Sequence, residues 1–208
     1  FFRVTDPAKA IDMLEKGDVD VFLREIGDPV LFKRIRASEV LTYEFSYGMY
    51  YDLTFNPIGP ATLDGKFNPF YNPKIREAMN WAIDRQYIVD EIMGGLGVPK
   101  FVPVCKGFPD YERHKEIISK LEAKYTYNFT KAWEVIRSEM LKEPGVELKD
   151  GKWYYKGEPI VIKVLIRVED ARRRIGHYVA DQLEKLGFTV ERMEKTSREA
   201  SPIWMRGN

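Results

Sequence analysis

An acid beside a base, Asp84 and Arg85, lies within the stretch YNPKIREAMNWAIDRQYIVDEIMGG (71–95). Such a pair could transfer a proton or bind a charged ligand. The same aspartate is also suited to begin a helix, because a carboxylate at that position accepts backbone N–H bonds. We therefore predict that Asp84 caps a second helix, and that Arg85 or Arg76 pairs with a nearby carboxylate.

Other residues able to do chemistry are few. The sequence has two histidines, His114 and His177, and one cysteine, Cys105. It contains no paired-histidine zinc spacing, no glycine-rich phosphate loop and no G-x-S-x-G nucleophile motif. We therefore expect no catalytic residue, no metal and no cofactor, and a protein that is not an enzyme.

Two alternatives stay open at this point. Abundant carboxylates, for example Glu112 and Asp170, and the long irregular segment 95–111 would suit a carboxylate-dependent hydrolase domain. The aromatic residues crowded into 43–55 and 153–155 would suit a non-catalytic protein-interaction domain, or stacking against a ligand.

Charge and composition narrow the range of partners. Among 208 residues, 33 Lys and Arg oppose 32 Asp and Glu, which leaves a net charge of +1. This balance argues against binding nucleic acid through bulk charge. The sequence begins without methionine and ends in mid-pattern, so we expect an internal fragment of a longer protein.

The remaining patterns place these residues on elements. Asp-Pro pairs predict helix starts at Asp6 and Asp28, the second with Val30, Leu31 and Ile35 facing inward. Arg172-Arg173-Arg174, after Glu169-Asp170, predicts a solvated ion-pair face at a helix start. We predict strands over 19–26 and 39–55, a loop over 56–72, and helices near 111–124 and 130–142.

A β-meander and a strand–helix–strand unit follow in the last third of the sequence. Asp150-Gly151 and Lys156-Gly157 predict two-residue hairpin turns between β-rich runs. We then predict a strand over 160–166, a helix over 169–186 and a strand parallel to the first over 188–194. The predicted inner face of that helix consists of Ile175, Val179, Leu183 and Leu186.

Four stretches give the sequence a family resemblance. They are GDVDVFL (17–23), DLTFNP (52–57), FNPFYNPKIREAMNWAIDRQYIVDEIMGGLGVP (67–99), and the segment 127–194 that starts YNFTKAWEVIRSEM. Together they resemble the extracellular solute-binding proteins of the peptide/nickel class, the receptors of ABC importers. The family's usual Asp before the first signature helix is Asn72 here, which is also a good N-cap.

The resemblance implies a fold and a domain organisation. It implies an α/β fold, an incomplete periplasmic-binding-protein-like (type II) lobe with a mixed sheet and flanking helices. Residues 1–52 would be the C-terminal part of lobe I, and 53–194 most of lobe II. Residues 195–208 would begin the return toward the hinge, whose strands would lie near 49–56 and 194–204.

The resemblance also implies a function and a site. The chain would be part of a receptor that captures oligopeptides or oligosaccharides between its lobes and delivers them to an ABC permease. It would be extracellular or periplasmic, monomeric, membrane-anchored at full length, and would bind no nucleic acid. The candidate ligand-binding residues are Tyr47, Tyr50, Tyr51, Arg167, Glu169, Arg198 and Trp204.

Overall fold

This computed structural model describes residues 3–46, 49–62 and 65–206. Its strands form two short sheets. The first sheet is antiparallel, and the second is a parallel pair whose strands are joined by helix α8 (Arg172–Lys185). The meander and the strand–helix–strand unit predicted from the sequence are therefore confirmed. The strands are β1 (Val146–Lys149), β2 (Lys152–Tyr155), β3 (Glu158–Pro159), β4 (Val161–Arg167) and β5 (Thr189–Lys195).

Both predicted hairpin turns form with left-handed backbone at their two central residues. Asp150 and Gly151 have φ of 48° and 72°, and Lys156 and Gly157 have φ of 50° and 87°. Positive φ at both central positions is typical of type I′ turns, whose twist matches that of the flanking strands. The turn sequence therefore sets the register of the meander.

Helix starts follow the capping chemistry read from the sequence. The side chains of Asp6, Asp28 and Asn72 each accept a backbone N–H two residues on, at 2.9, 2.7 and 2.9 Å, and a proline follows each cap. The remaining helices are α1 (Pro7–Glu15), α2 (Pro29–Ala37), a 3₁₀ turn (Pro69–Tyr71), α3 (Pro73–Ala82), α4 (Arg85–Tyr87) with a π-helical continuation (Ile88–Ile92), α5 (Pro109–Arg113), α6 (Lys115–Lys124), α7 (Phe129–Met140) and α9 (Ser197–Arg206).

Asp84 caps a helix, as predicted, and its neighbouring arginine does not pair with it. Asp84 Oδ1 accepts the backbone N–H of Tyr87 at 3.0 Å. Arg85 instead donates to the carbonyl and the side-chain oxygen of Asn80 at 3.0 and 2.7 Å. Arg76 likewise donates to two backbone carbonyls. The prediction that these arginines pair with carboxylates is wrong, because both guanidinium groups donate to uncharged oxygens instead.

The core is centred on the indole of Trp153, which is fully buried. Its Nε1–H donates to the carbonyl of Leu186 at 2.8 Å, and its backbone N–H donates to the carbonyl of Gly187 at 3.0 Å. Gly187 has φ of 85°, and a Cβ there would lie 2.8 Å from the carbonyl oxygen of Gly151 and 3.1 Å from the indole. The end of α8 is therefore fixed against the meander.

Helices α3, α7 and α8 complete this core with small and branched side chains. Of the predicted inner face of α8, Val179, Leu183 and Leu186 are buried and Ile175 is partly buried. In α2, Val30 is 74% exposed and Phe32 is buried, so the inward orientation predicted for Val30 is wrong. The buried members from α3 and α7 are Ile75, Ala78, Met79, Trp81, Ala82, Ala132, Ile136 and Met140.

Two predicted strands do not form. Within the described residues, 19–26 and 39–55 contain no strand. A strand requires a neighbouring strand for its backbone hydrogen bonds, and no described segment forms a ladder with either of these two. Several of their apolar side chains are exposed, as for Leu23 at 85% and Met49 at 72%.

The predicted hinge strand over 194–204 is also wrong, because β5 ends at Lys195 and α9 follows. Thr196 and Glu199 form a capping box at the start of α9. The backbone N–H of Thr196 donates to Glu199 Oε2 at 2.9 Å, and Thr196 Oγ1 accepts the N–H of Glu199 at 3.4 Å. The sequence T-x-x-E was the signal for this helix.

Gly187→Ala is expected to destabilise the chain far more than Gly17→Ala. Both glycines have positive φ, but a Cβ added at Gly17 would have no atom within 4 Å, whereas one added at Gly187 would meet backbone and indole. We expect a loss of roughly 2–5 kcal/mol at Gly187 and about 1 kcal/mol at Gly17, measured by urea denaturation. Equal losses at the two sites would contradict the packing described for Gly187.

Asp84→Ala is expected to cost about 1 kcal/mol of unfolding free energy, because the N–H of Tyr87 loses its acceptor. Asp84→Asn keeps a side-chain oxygen and should cost much less. Thermal or urea denaturation compares the two variants. If Asp84→Ala abolished ligand binding by the full-length gene product without changing its melting temperature, the capping role would be refuted.

Candidate ligand-binding site

Charged side chains gather where β4 and β5 end. Arg167 and Lys195 are paired in register as the last residues of these parallel strands. The carboxyl ends of parallel strands share one edge of a sheet, and open α/β sheets bind ligands in the crevice outside that edge. We call the group formed by Arg167, Glu169, Asp170 and Arg172 the carboxyl-end cluster.

Glu169 links the segments that follow the two strands. Its Oε2 accepts Arg167 Nε–H at 3.0 Å, and its Oε1 accepts the backbone N–H of Ser197 at the start of α9. The hydrogen bond from Ser197, followed by that from Arg167, holds the pKa of the Glu169 carboxyl below its usual value. The carboxylate is therefore ionised at neutral pH and joins the end of β4 to α9.

Asp170 and Arg172 form a multiply bonded ion pair. Asp170 Oδ1 accepts the backbone N–H of Arg172 at 3.0 Å and its Nε–H at 2.7 Å, and a second guanidinium nitrogen bonds Oδ2. Bonding to the guanidinium lowers the pKa of Asp170 and raises that of Arg172. An acid that donates a proton near neutral pH needs a raised pKa, so Asp170 is poorly suited to general acid catalysis.

Arg172 also brings an aromatic ring to the cluster. Its guanidinium carbon lies 5.0 Å from the ring centroid of Tyr51, within the range of a cation–π contact. Tyr51 remains 41% exposed. The structure thus unites three of the candidates predicted from the sequence, Tyr51, Arg167 and Glu169, around a cluster that also presents a partly exposed aromatic face.

Tyr50 lies in a different arrangement from Tyr51. Lys100 Nζ is 4.1 Å from the ring centroid of Tyr50 and 3.0 Å from Cys105 Sγ. Tyr50 is 52% exposed and Cys105 is partly buried. No sequence pattern predicts this contact of Lys100, since a lysine in an irregular loop carries no motif.

The other candidates are not brought to the cluster by any contact described here. Arg198 is exposed in the first turn of α9, directly after Ser197, and Trp204 on the same helix is 69% exposed. Tyr47 lies outside the described residues. All seven assignments to ligand binding stay predictions.

Arg172 was assigned from the sequence only to a solvated ion-pair face. The structure instead gives the three consecutive arginines different partners. Arg172 bonds Asp170, Arg173 lies 2.9 Å from Glu194, and Arg174 donates to backbone carbonyls at the end of the π-helical segment. A carboxylate two residues before Arg172 was the available signal, but only the turn after β4 shows that the pair lies at the sheet edge.

The described residues hold no group of three or more His, Cys, Asp or Glu side chains that could bind a metal ion. Of the two histidines, His114 is exposed and His177 Nε2 lies 2.6 Å from Glu194 Oε1. None of the described helices combines the length and apolarity needed to cross a membrane. What the carboxyl-end cluster can do chemically is bind charged and hydrogen-bonding groups.

Comparison with known proteins gives a family match along nearly the whole chain. Residues 2–206 match the model of the bacterial extracellular solute-binding proteins, family 5, middle part. The oligopeptide-binding protein AppA of Bacillus subtilis is 23% identical over 199 residues, which cover 91% of this chain and 34% of AppA. The chain thus spans about a third of that relative's length.

Solved structures resemble the fold as well. NikA from Brucella suis, solved in complex with Fe(III)-EDTA, superposes with a TM-score of 0.62 at 17% identity, covering 98% of this chain and 38% of NikA. A periplasmic oligopeptide-binding protein from Thermotoga maritima, solved with bound mannohexaose, gives a TM-score of 0.50 at 21% identity, covering 97% and 36%. The α/β, periplasmic-binding-protein-like fold predicted from the sequence is confirmed.

Asp170→Asn is expected to flatten the acid dependence of stability. Because the folded-state pKa of Asp170 is lowered, its stabilisation is complete above the ordinary pKa of about 4 and is lost as pH falls below that value. The difference in unfolding free energy between wild type and variant should be about 1 kcal/mol or less at neutral pH and should shrink toward zero in acid.

Urea denaturation from neutral to strongly acidic pH measures this difference, with Asp18→Asn at an exposed position as the control. A wild-type advantage that stayed constant down to the most acidic pH would contradict the ion pair between Asp170 and Arg172.

Proposed function

We propose a ligand-capturing function for the chain, which belongs to the bacterial extracellular solute-binding proteins of family 5. It would form part of a receptor that binds oligopeptides outside the cytoplasmic membrane and delivers them to an ABC permease. The full-length receptor would be a membrane-anchored monomer. Support comes from the family membership and from the relative AppA, which is named an oligopeptide-binding protein.

The carboxyl-end cluster is the observation that carries this proposal. Two arginine–carboxylate pairs, Arg167–Glu169 and Arg172–Asp170, lie side by side at the sheet edge, and Tyr51 adds an aromatic face. A peptide offers charged ends, amide groups and side chains to such a surface. The arrangement therefore favours a polar, charged ligand with at least one flat or apolar part.

Oligosaccharides are the second ligand class to test. The exposed face of Tyr51 suits a sugar ring, and one structural neighbour was solved with bound mannohexaose. The charged groups of the cluster favour peptides over neutral sugars, because a peptide offers charged ends to these groups whereas a neutral sugar offers only hydrogen bonds.

The proposed mechanism is closure around a ligand. We assign residues 1–52 to one lobe and 53–194 to the other, with 195–208 leading back toward the hinge. A ligand that contacts both lobes favours the closed arrangement by its differential affinity for that state. No covalent bond is made or broken in this function.

The hydrolase alternative gains no support from the geometry of its carboxylates. Asp170 is held ionised by Arg172, as described above. Glu112 lies on an exposed helix with Lys115 Nζ at 3.2 Å. Each carboxylate pairs with a cation close to it in sequence. Hydrolysis of a panel ligand that persisted through purification and vanished on Asp170→Asn would nevertheless favour the enzyme.

Calorimetric titration of the full-length gene product with matched panels of oligopeptides and oligosaccharides tests the proposal. We expect saturable binding of at least one peptide and no chemical change in the recovered ligand. Failure of every peptide and every oligosaccharide to bind would refute a role in capturing these ligands.

Tyr51→Ala is expected to weaken ligand binding about tenfold, because it removes the aromatic face and frees Arg172. Tyr127→Ala is the matched control, since Tyr127 is 43% exposed and takes no part in the cluster. Calorimetry on both variants of the full-length gene product, with the best ligand of the panel, gives the comparison. Equal affinities for both variants and the wild type would remove Tyr51 from the site.

A further inference from the structure

A cleft lies between α2 and the turn that ends the π-helical segment. Its volume is about 430 Å³, within the range of small-molecule sites. We propose that this cleft binds a carboxylate group of the ligand, an inference that rests on the proposed function. The lining residues are Lys33, Arg36, Ala37, Asp90, Gly94 and Gly95.

The two cations of the cleft lack ionic partners, unlike the cation between them in sequence. Arg34 lies 2.6 Å from Asp12 Oδ1 and also bonds Glu15. Across residues 3–46, 49–62 and 65–206, neither Lys33 nor Arg36 has a carboxylate within 4.0 Å. Helix α2 therefore directs a neutralised guanidinium to one side and two uncompensated positive charges to the cleft.

Two consecutive glycines form the opposite wall, and the second lets a cation approach the backbone. Gly94 and Gly95 have φ of 62° and 87°. A Cβ on Gly95 would lie 2.8 Å from Arg36 Nη1, and a Cβ on Gly94 would lie 3.6 Å from Lys33 Cε. A side chain at position 95 would displace Arg36, so Gly95 lets the guanidinium lie against this turn, whereas a Cβ at position 94 would be at ordinary contact distance from Lys33.

Asp90 modifies the charge of the cleft without neutralising it. Both of its carboxylate oxygens accept Gln86 Nε2–H at 2.9 Å, which holds the group along its own helix. Two cations and one anion leave a formal charge of +1 among the lining side chains. A ligand carboxylate would pair with these cations. Because the net charge of the lining is +1, the cleft balances one negative charge.

The position of the cleft gives a carboxylate a structural role. Helix α2 belongs to the segment that we assign to lobe I, and Gly94–Gly95 belong to the segment that we assign to lobe II. An anion bonded to Lys33 and Arg36 and seated against the glycine turn would contact both segments. Binding of a carboxylate would then favour their closed arrangement.

The first test is an NMR titration of the ¹⁵N-glycine-labelled full-length gene product with sodium acetate, with sodium chloride as the ionic-strength control. We expect acetate to shift the amide signals of Gly94 and Gly95 saturably, and the shift to disappear in the double variant K33Q/R36Q. R34Q removes a charge from the same helix outside the cleft and should leave the shift intact. No shift, or an equal shift in K33Q/R36Q, would overturn the inference.

The second test starts from a panel peptide that binds as the free acid. Its affinity is compared with that of the same peptide carrying a C-terminal amide, and with that of an oligosaccharide that carries a uronic acid. We expect amidation of the peptide, or K33Q/R36Q, to weaken binding at least about tenfold, and R34Q to have little effect. Tighter binding of the uronate than of the free-acid peptide would assign the carboxylate to a sugar acid instead. Peptide affinity unchanged in K33Q/R36Q would overturn the inference while leaving the proposed function intact. If no panel ligand bound, the proposed function would fail and the acetate titration alone would decide the inference.

Discussion

The contact between Trp153 and the 186–187 turn holds the two sheets in place relative to each other. The backbone N–H of Trp153 donates to Gly187, its carbonyl accepts from Ile160, and the carbonyl of Ile160 accepts from Thr189, so one chain of hydrogen bonds runs from the meander to both parallel strands. The indole fills the space beneath, and only glycine fits at 187. This junction lies at the start of β4 and β5, and the seven-residue strands lead from it to the edge where the carboxyl-end cluster lies.

Two different uses of charge follow from that scaffold. At the sheet edge, Glu169 and Asp170 are each bonded to an arginine and to a backbone N–H, which keeps them ionised and ordered. In the cleft beside α2, Lys33 and Arg36 lack such partners among the described residues. The ordered carboxyl-end cluster is suited to recognising the shape and polarity of a ligand. The two cations of the cleft, which lack ionic partners among the described residues, are suited to binding a negatively charged group of the ligand. We propose a ligand-binding role for both surfaces.

Local chemistry was predictable from the sequence, and pairing between distant segments was not. The caps at Asp6, Asp28, Asn72 and Asp84 and the two Gly-containing hairpin turns are decided by residues within a few positions, and all were predicted. The strands over 19–26 and 39–55 were not formed, since alternation specifies a face but cannot supply a neighbouring strand. The position of Arg167 and Glu169 at the end of a strand was predictable from the sequence. The contact between Arg172 and Tyr51 joins residues 121 positions apart, and no local pattern encodes such a contact.

A crystal structure of the full-length gene product with a bound oligopeptide tests the central claim, that the carboxyl-end cluster is a ligand-binding surface, most directly. The account predicts ligand atoms within about 4 Å of Tyr51 or Arg172 at the end of β4. A peptide bound elsewhere, with Asp170, Arg172 and Tyr51 in the same contacts and open to solvent, would contradict it.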